Sequence, residues 1–338
     1  MEKVRIGVIG AGRIAHVMCA AYEDIAQAEI VAVMDVVPES ATALADRFGA
    51  KRTYSTTEDL LADPEVDAVL VCAPTQLHAE IVVKAAAAGK HIFCQKPMAL
   101  SVADCDLMNE AVAAAGVVMQ IGFMLRFTPP FGEAKERIEQ GEIGDLIGIT
   151  GSLFGWVPSA DWFYDPKRGG GVLIDTMSHQ FDLFRWYGGD FETVYASGGA
   201  YVLDGAREYG TPDNVMASFR FQNGAMGNLY GSWTSGYGDL TVQVFGTEGS
   251  IFIDLMDKQG GQIYSTGRGA APATGWNNLG ILWKYGYEGE AKQFVKSVLG
   301  QVAPSPTGLD ARETMRMLFL ADRSIRTGER IIVADEPS

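Results

Sequence analysis

Two different rhythms of apolar and polar residues divide the chain. Up to residue 122, short runs that are nearly continuous in apolar character alternate with amphipathic stretches. The runs are VRIGVI (4 to 9), EIVAVMD (29 to 35), DAVLVCA (67 to 73), HIFC (91 to 94) and VVMQIG (117 to 122). Apolar character on both faces of a strand is the mark of a parallel sheet covered by helices. Between the runs, PESATALADRFG places Pro38 at a helix start and Gly49 at its end, and SVADCDLMNEAVAAAG opens with a Ser-x-x-Asp capping pattern. The pattern predicts a βαβ series.

After Gly122 the runs lengthen and lose their intervening helices: LIGITGSLFGW, FETVYASGGAYVL, NVMASFRFQNGAMGNLYGSWTSG and LTVQVFGTEGSIFIDL. Asn223-Gly224 between alternating runs is a hairpin signal. A largely antiparallel sheet follows, and with it an α+β second domain. Helices are expected over PFGEAKERIEQGEIG, over GGGVLIDTMSHQFDLFRWYGG, and at about 285 to 299 and 307 to 327. Residues 156 to 171 and 257 to 281 read as long loops. The division expected is 1–122, a βαβ domain, and 123–338, an α+β domain.

The turn after the first run carries the first chemical signal. Gly10-Ala11-Gly12-Arg13-Ile14-Ala15 has the glycines that let a backbone bend tightly and approach a pyrophosphate, with a small third residue for close helix packing. Asp35 ends the second run, 25 positions after Gly10, where a carboxylate can hold a ribose hydroxyl; the usual spacing is about 20. Val36 and Val37 follow, with no cation to receive a 2′-phosphate, so NAD is expected over NADP.

Composition changes this picture only by exclusion. With 27 basic and 42 acidic residues the net charge is −15, which disfavours phosphate-backbone binding to nucleic acid. A dinucleotide held on the amides of a helix N-terminus needs no basic face, so the two signals agree. Cys19, Cys72, Cys94 and Cys105 lack CxxC spacing and read as buried free thiols of a reducing compartment, with no metal site. No run approaches the roughly 18 apolar residues of a membrane span, and the expectation is a soluble cytoplasmic protein.

Three features could act on a substrate: Lys96 just past the fourth run, Asp175 and His179 four apart on an expected helix, and the loop SADWFYDPKRGGG. Oxidising a carbinol requires a base near the hydroxyl, a cation for the developing alkoxide, and the C–H about 3 to 3.5 Å from the nicotinamide. His179 can be the base, Asp175 its orienting partner, and Lys96 the cation and a proton relay. By residue type alone, Lys96 reads as a surface loop lysine, His179 equally as a core histidine or a functional one, and Trp162 and Tyr237 as structural aromatics. His78 reads as a helix-start residue, and His16 and His91 as packing.

Taken together, Gly-Ala-Gly-Arg-Ile-Ala, Asp35, Ala73-Pro74-Thr75-Gln76-Leu77-His78, Gln95-Lys96-Pro97 and Gly169-Gly170-Gly171 before Asp175-x-x-x-His179 resemble the Gfo/Idh/MocA family of sugar and polyol dehydrogenases. Asp175-Thr176-x-x-His179 and Gly122-Phe123-Met124 look most like inositol dehydrogenases. The resemblance implies Lys96 and His179 as a catalytic pair with Asp175 in support. It places the 73 to 78 turn, Val36 and Gln95 with Gly10, Gly12, Arg13, Ile14, Asp35 and Lys96 at the cofactor. Met124, Arg126, Trp162, Thr176 and Tyr237 would contact substrate with Lys96, Asp175 and His179. It also implies that 1–122 is an NAD-binding Rossmann domain and 123–338 a substrate-binding and oligomerisation domain, with a cis Lys96–Pro97 peptide and a homodimer or homotetramer formed through the C-terminal sheet. Two residues depart from the family pattern. Gln95 stands where a glutamate is usual, and Leu125 stands where inositol dehydrogenases tend to carry arginine, which opens the substrate to other sugars and anhydrosugars. Rival expectations are a glycosidase that retains NAD and a regulator that senses NAD and sugar without chemistry.

Overall fold

The computed structural model describes residues 3–155, 157–255, 261–266, 274–278 and 285–336. It separates into two compact units, Met1–Met124 with Gly286–Glu313, and Leu125–Tyr285 with Thr314–Ser338. The expected contiguous division lacks one feature of this arrangement: residues 286 to 313 return to the first unit.

In the first unit the order is β1 (Val4–Ile9), α1 (Arg13–Tyr22), β2 (Ala28–Met34), α2 (Pro38–Phe48), β3 (Arg52–Tyr54), α3 (Thr57–Ala62), β4 (Ala68–Val71), α4 (His78–Ala87), β5 (His91–Cys94), α5 (Val102–Ala115) and β6 (Met119–Ile121). The sheet runs β3-β2-β1-β4-β5-β6, parallel throughout. β3 and α3 escaped the sequence reading because three half-exposed residues carry no apolar run. The helix signals hold: Ser101 accepts a hydrogen bond from the Asp104 amide, Pro38 sits in the first turn of α2, and Gly49 and Gly116 close α2 and α5 in the left-handed region.

The last helices of the chain are Tyr287–Val298 and Gly308–Thr327. Ala291, Phe294 and Val295 of the first of them join the core with Met18, Cys19 and Tyr22 of α1 and Val8, Leu70 and Phe93 of the sheet. Burying one such phenylalanine contributes roughly 1.5–3 kcal/mol. All four cysteines are free and buried. Burial pushes their thiols up, those of Cys19 and Cys105 to about 12.

The second unit is built on α6 (Pro129–Glu139), β7 (Leu146–Phe154), α7 (Ser178–Gly188), β8 (Phe191–Gly199), α8 (Asp204–Tyr209), β9 (Asn214–Phe221), β10 (Met226–Ser232), β11 (Asp239–Gly246), β12 (Gly249–Asp254), β13 (Gly261–Ser265), β14 (Gly275–Asn278) and β15 (Ile331–Ile332). The sheet order is β14-β13-β12-β11-β7-β10-β9-β8-β15, antiparallel except where β7 and β10 run parallel. The expected long loop at 257 to 281 is therefore corrected. It contains β13 and β14, whose short polar sequences GQIYS and GWNN gain strand geometry only by pairing; apart from Thr266 and Thr274, the rest of it lies outside the described residues. The Asn223-Gly224 hairpin between β9 and β10 is present, with Asn223 Oδ1 accepting from the Ala225 amide.

Strict alternation gives β9 one buried face, which packs on α7: Phe181 meets Phe219 edge-on at 5.0 Å, and Phe191 stacks on Phe219 at 4.6 Å. The other face exposes Tyr195, Met216, Met226, Phe245, Tyr264 and Trp276. No described helix is long and apolar enough to cross a membrane.

Candidate active site

In the first unit the strand register brings the chemistry-bearing residues to one edge. The Gly10 amide donates to Met34 O (2.8 Å), Cys72 to Ile9 O (2.8 Å), Gln95 to Val71 O (3.1 Å) and Gly122 to Cys94 O (2.9 Å). Gly10, Asp35, Gln95 and Gly122 thus follow directly on the carboxyl ends of β1, β2, β5 and β6. The strand order reverses between β1 and β4, and ligands of open α/β sheets bind outside the carboxyl ends at such a point.

Gly10 has φ +92°, and a Cβ there would lie 2.8 Å from Cys72 O, so the bend excludes any side chain. At Gly12 a Cβ would meet nothing within 4 Å. Gly12 caps α1 without a side-chain hydrogen bond, and no acidic residue occupies the first turn. The first amides of α1 are therefore left for an anion, and the turn fits a pyrophosphate. Asp35 is bound into the same turn, its Oδ2 accepting from the Ala11 amide at 2.7 Å and its Oδ1 from the Val37 amide at 2.9 Å. A carboxylate has about four acceptor positions, so two hydrogen bonds leave capacity for a ribose hydroxyl. Val36 is 78% exposed beside it.

The Lys96–Pro97 peptide is cis. Behind it, His78 is buried, with Nδ1 3.0 Å from Pro97 O and Nε2 2.9 Å from Ala73 O. Burial holds the imidazole below its ordinary value, and His78, with 1% of its surface exposed, sits between the 73 to 78 turn and the Lys96–Pro97 segment. Thr75 is also buried, Lys96 half-buried, and Gln95 94% buried, its Nε2 having no partner among the described residues. His91 accepts from the Val118 amide at 3.0 Å, a packing role.

In the second unit the expected single helix over 169 to 189 is corrected. Val172–Thr176 form a wider π turn, closed by the Met177 amide on Val172 O at 2.9 Å, and α7 starts only at Ser178. The cause lies upstream. The Gly169 and Gly170 amides both bond to Asp165 O, and Gly170 has φ +84° with Ile174 where a Cβ would sit, so the chain enters too tightly wound for a regular first turn. Asp175 therefore lies in the π turn and His179 in the first turn of α7.

Asp175 and Thr176 are buried, at 6% and 8% exposure. Trp233 Nε1 donates to Thr176 Oγ1 at 2.8 Å, and Thr176 Oγ1 donates to Asp175 Oδ2 at 3.1 Å. Ser178 Oγ donates to Asp175 O. Trp233 carried no signal in the sequence, since a tryptophan in a strand run reads as core.

Arg126, the other cation of the expected site, is held by a side chain of α7. Its guanidinium forks onto Asp182, Nε to Oδ2 at 2.7 Å and Nη2 to Oδ1 at 2.6 Å, with Trp186 under its charge at 5.5 Å. Both partners are more than nine-tenths buried. Those two nitrogens anchor Arg126 onto α7, about one turn past His179. Of the other expected contacts, Met124 is buried, Trp162 is half-buried and stacked on Phe163 at 3.7 Å, and Tyr237 is 64% exposed with its ring edge-on to Phe154.

Residues 4–123 match the family model described as an oxidoreductase family, NAD-binding Rossmann fold, and residues 131–252 match the GFO/IDH/MocA C-terminal domain. The chain is 33% identical to myo-inositol 2-dehydrogenase of Thermotoga maritima over 95% of this chain and 96% of that one. It is 32% identical to scyllo-inositol 2-dehydrogenase (NAD(+)) of Bacillus subtilis over 97% and 95%. Among solved structures it resembles a levoglucosan dehydrogenase in complex with NADH and levoglucosan, with TM-score 0.86 and 25% identity over 97% and 98% of the two chains. With both halves matched in order and an unbroken cofactor turn, the chain belongs to the Gfo/Idh/MocA family of oxidoreductases.

Proposed function

We propose that this oxidoreductase is an NAD-dependent dehydrogenase that reversibly oxidises a secondary hydroxyl of a cyclic polyol, sugar or anhydrosugar. The observation that carries the reading is the buried Asp175 carboxylate, fixed by a hydrogen-bond chain in the turn that leads into His179. His179 takes the hydroxyl proton as the carbon–hydrogen bond breaks, and Asp175 orients it. Lys96 stabilises the developing alkoxide and relays the proton. The bound nicotinamide supplies the hydride acceptor. Met124, Trp162, Thr176 and Tyr237 contribute substrate contacts.

Gly10, Gly12, Arg13, Ile14, Asp35 and Val36, with Ala73, Pro74, Thr75, Gln95 and Lys96, line the cofactor in this reading. Asp35 followed by Val36 and Val37 favours NAD over NADP, because a 2′-phosphate would meet a carboxylate with no cation at those two positions. The inositol and levoglucosan dehydrogenases among the relatives support the substrate class. Leu125 puts an apolar, buried side chain where inositol dehydrogenases tend to carry arginine, which supports substrates beyond inositol.

The apolar outer sheet face, with Met216, Met226, Phe245 and Trp276, supports a homodimer or homotetramer formed there. The test is cofactor reduction with NAD and with NADP across a panel of inositols, monosaccharides and anhydrosugars. Turnover with NAD on at least one of these, lost in Lys96→Met and His179→Ala, is expected. Cofactor binding without reduction on any of them would overturn the reading.

A further inference from the structure

We propose that Trp233 is a positioning residue for this site, holding the Asp175 carboxylate through the Thr176 hydroxyl. The inference rests on the reading of Asp175 as a catalytic group. An indole Nε1–H only donates. Thr176 Oγ1, 2.8 Å from it, must therefore accept, and its own hydrogen is left for Asp175 Oδ2 at 3.1 Å. The chain has one polarity, since reversing it would require the indole to accept. Each member strengthens the next in a buried setting.

The indole's own position is fixed from several sides. Trp233 has no exposed surface, and its amide donates to Asp213 O at 2.9 Å. Asp213 is itself fully buried, its carboxylate receiving the amides of Tyr201, Val202 and Leu203 at 2.8–2.9 Å and the Asn214 side chain at 2.9 Å. Tyr164 packs edge-on against the indole at 5.6 Å and is tied down by Thr211 Oγ1, which donates to Tyr164 O at 2.7 Å. Reference to the strands thus reaches Asp175 through Trp233 and Thr176.

The experiment compares Trp233→Phe, Thr176→Val, Thr176→Ser, Asp175→Asn and the Trp233→Phe/Thr176→Val pair in the intact enzyme, with NAD and the inositol or sugar of the panel that gives the fastest turnover. Trp233→Phe should lower kcat about fivefold, the worth of one neutral hydrogen bond, and Thr176→Val about tenfold or more, the worth of one to a carboxylate, with KM for NAD unchanged in both. The double variant should lose no more than Thr176→Val alone, and Thr176→Ser should restore most of the rate. Single losses that multiply in the double variant, or unchanged kcat in Thr176→Val, would overturn the inference. Should Trp233→Phe fail to fold, Thr176→Val and Thr176→Ser decide, because they cut and restore the same chain with the indole in place. An active Asp175→Asn would instead sink the catalytic reading of Asp175. Loss of activity in Asp175→Asn with none in Thr176→Val sinks only the positioning role.

Discussion

At the carboxyl edge of β1–β6 the groups prepared for a ligand are backbone amides and the space left by absent side chains. At the turn before α7 they are side chains, held by other side chains distant in sequence. The first kind of site needs only a glycine at the right bend and a carboxylate at the end of the next strand. The second needs Trp233, nearly 60 residues downstream, to arrive beneath Thr176. A site made of backbone is robust to everything except a Cβ, while one made of side chains can be weakened in steps.

The comparison is broken most severely by Asp175→Asn, which keeps shape and removes the charge. The expected outcome is a fall in kcat of about 10²–10⁴-fold with cofactor affinity retained, measured by steady-state kinetics and by NADH fluorescence. Next come the two glycines, which separate fold from ligand in the first unit. Gly10→Ala forces a Cβ to 2.8 Å from Cys72 O at φ +92°, so it should destabilise the protein by about 1–3 kcal/mol in thermal unfolding and abolish cofactor binding. Gly12→Ala meets no protein atom within 4 Å and should leave thermal stability near the parent value while weakening NAD binding. Equal losses of stability in the two variants would erase the distinction.

The smallest expected effect concerns the core behind the cofactor turn. Glu290 is fully buried, its carboxyl oxygens without a partner among the described residues, and burial pushes its carboxyl well above the ordinary value. A carboxyl raised in the fold costs nothing below its unfolded value of about 4.3, and stability falls as pH rises above that value. Glu290→Gln should therefore raise Tm by a few degrees at pH 8 and hardly at pH 5. A gain independent of pH would mean that the carboxyl does not titrate with unfolding.

These differences also explain how far the sequence could be read. The parallel sheet, the glycine turn, the caps of α2 and α5 and the Asn223-Gly224 hairpin depend on neighbours a few residues apart, and a linear pattern records such neighbours. Asp175 and His179 were visible as residue types, but the π turn that holds Asp175 and ends before His179 leaves no periodic pattern in the sequence. Arg126 was legible as a cation near the substrate motif; its partner Asp182 lies 56 positions away and no periodicity links the two. β13 and β14 have little strand character except in each other's company.

The return of residues 286 to 313 to the first unit has a consequence for how the protein can be taken apart. The core beneath the cofactor turn draws Val8 and Phe93 from one end of the chain and Ala291, Phe294 and Val295 from the other. A ribosome completes the glycine turn long before it makes the helix that closes the hydrophobic layer behind it. The nucleotide-binding half is therefore not a cassette that a stop codon after residue 124 could release, and expressing it separately calls for a spliced gene in which the 286 to 313 segment is joined to the first 124 residues.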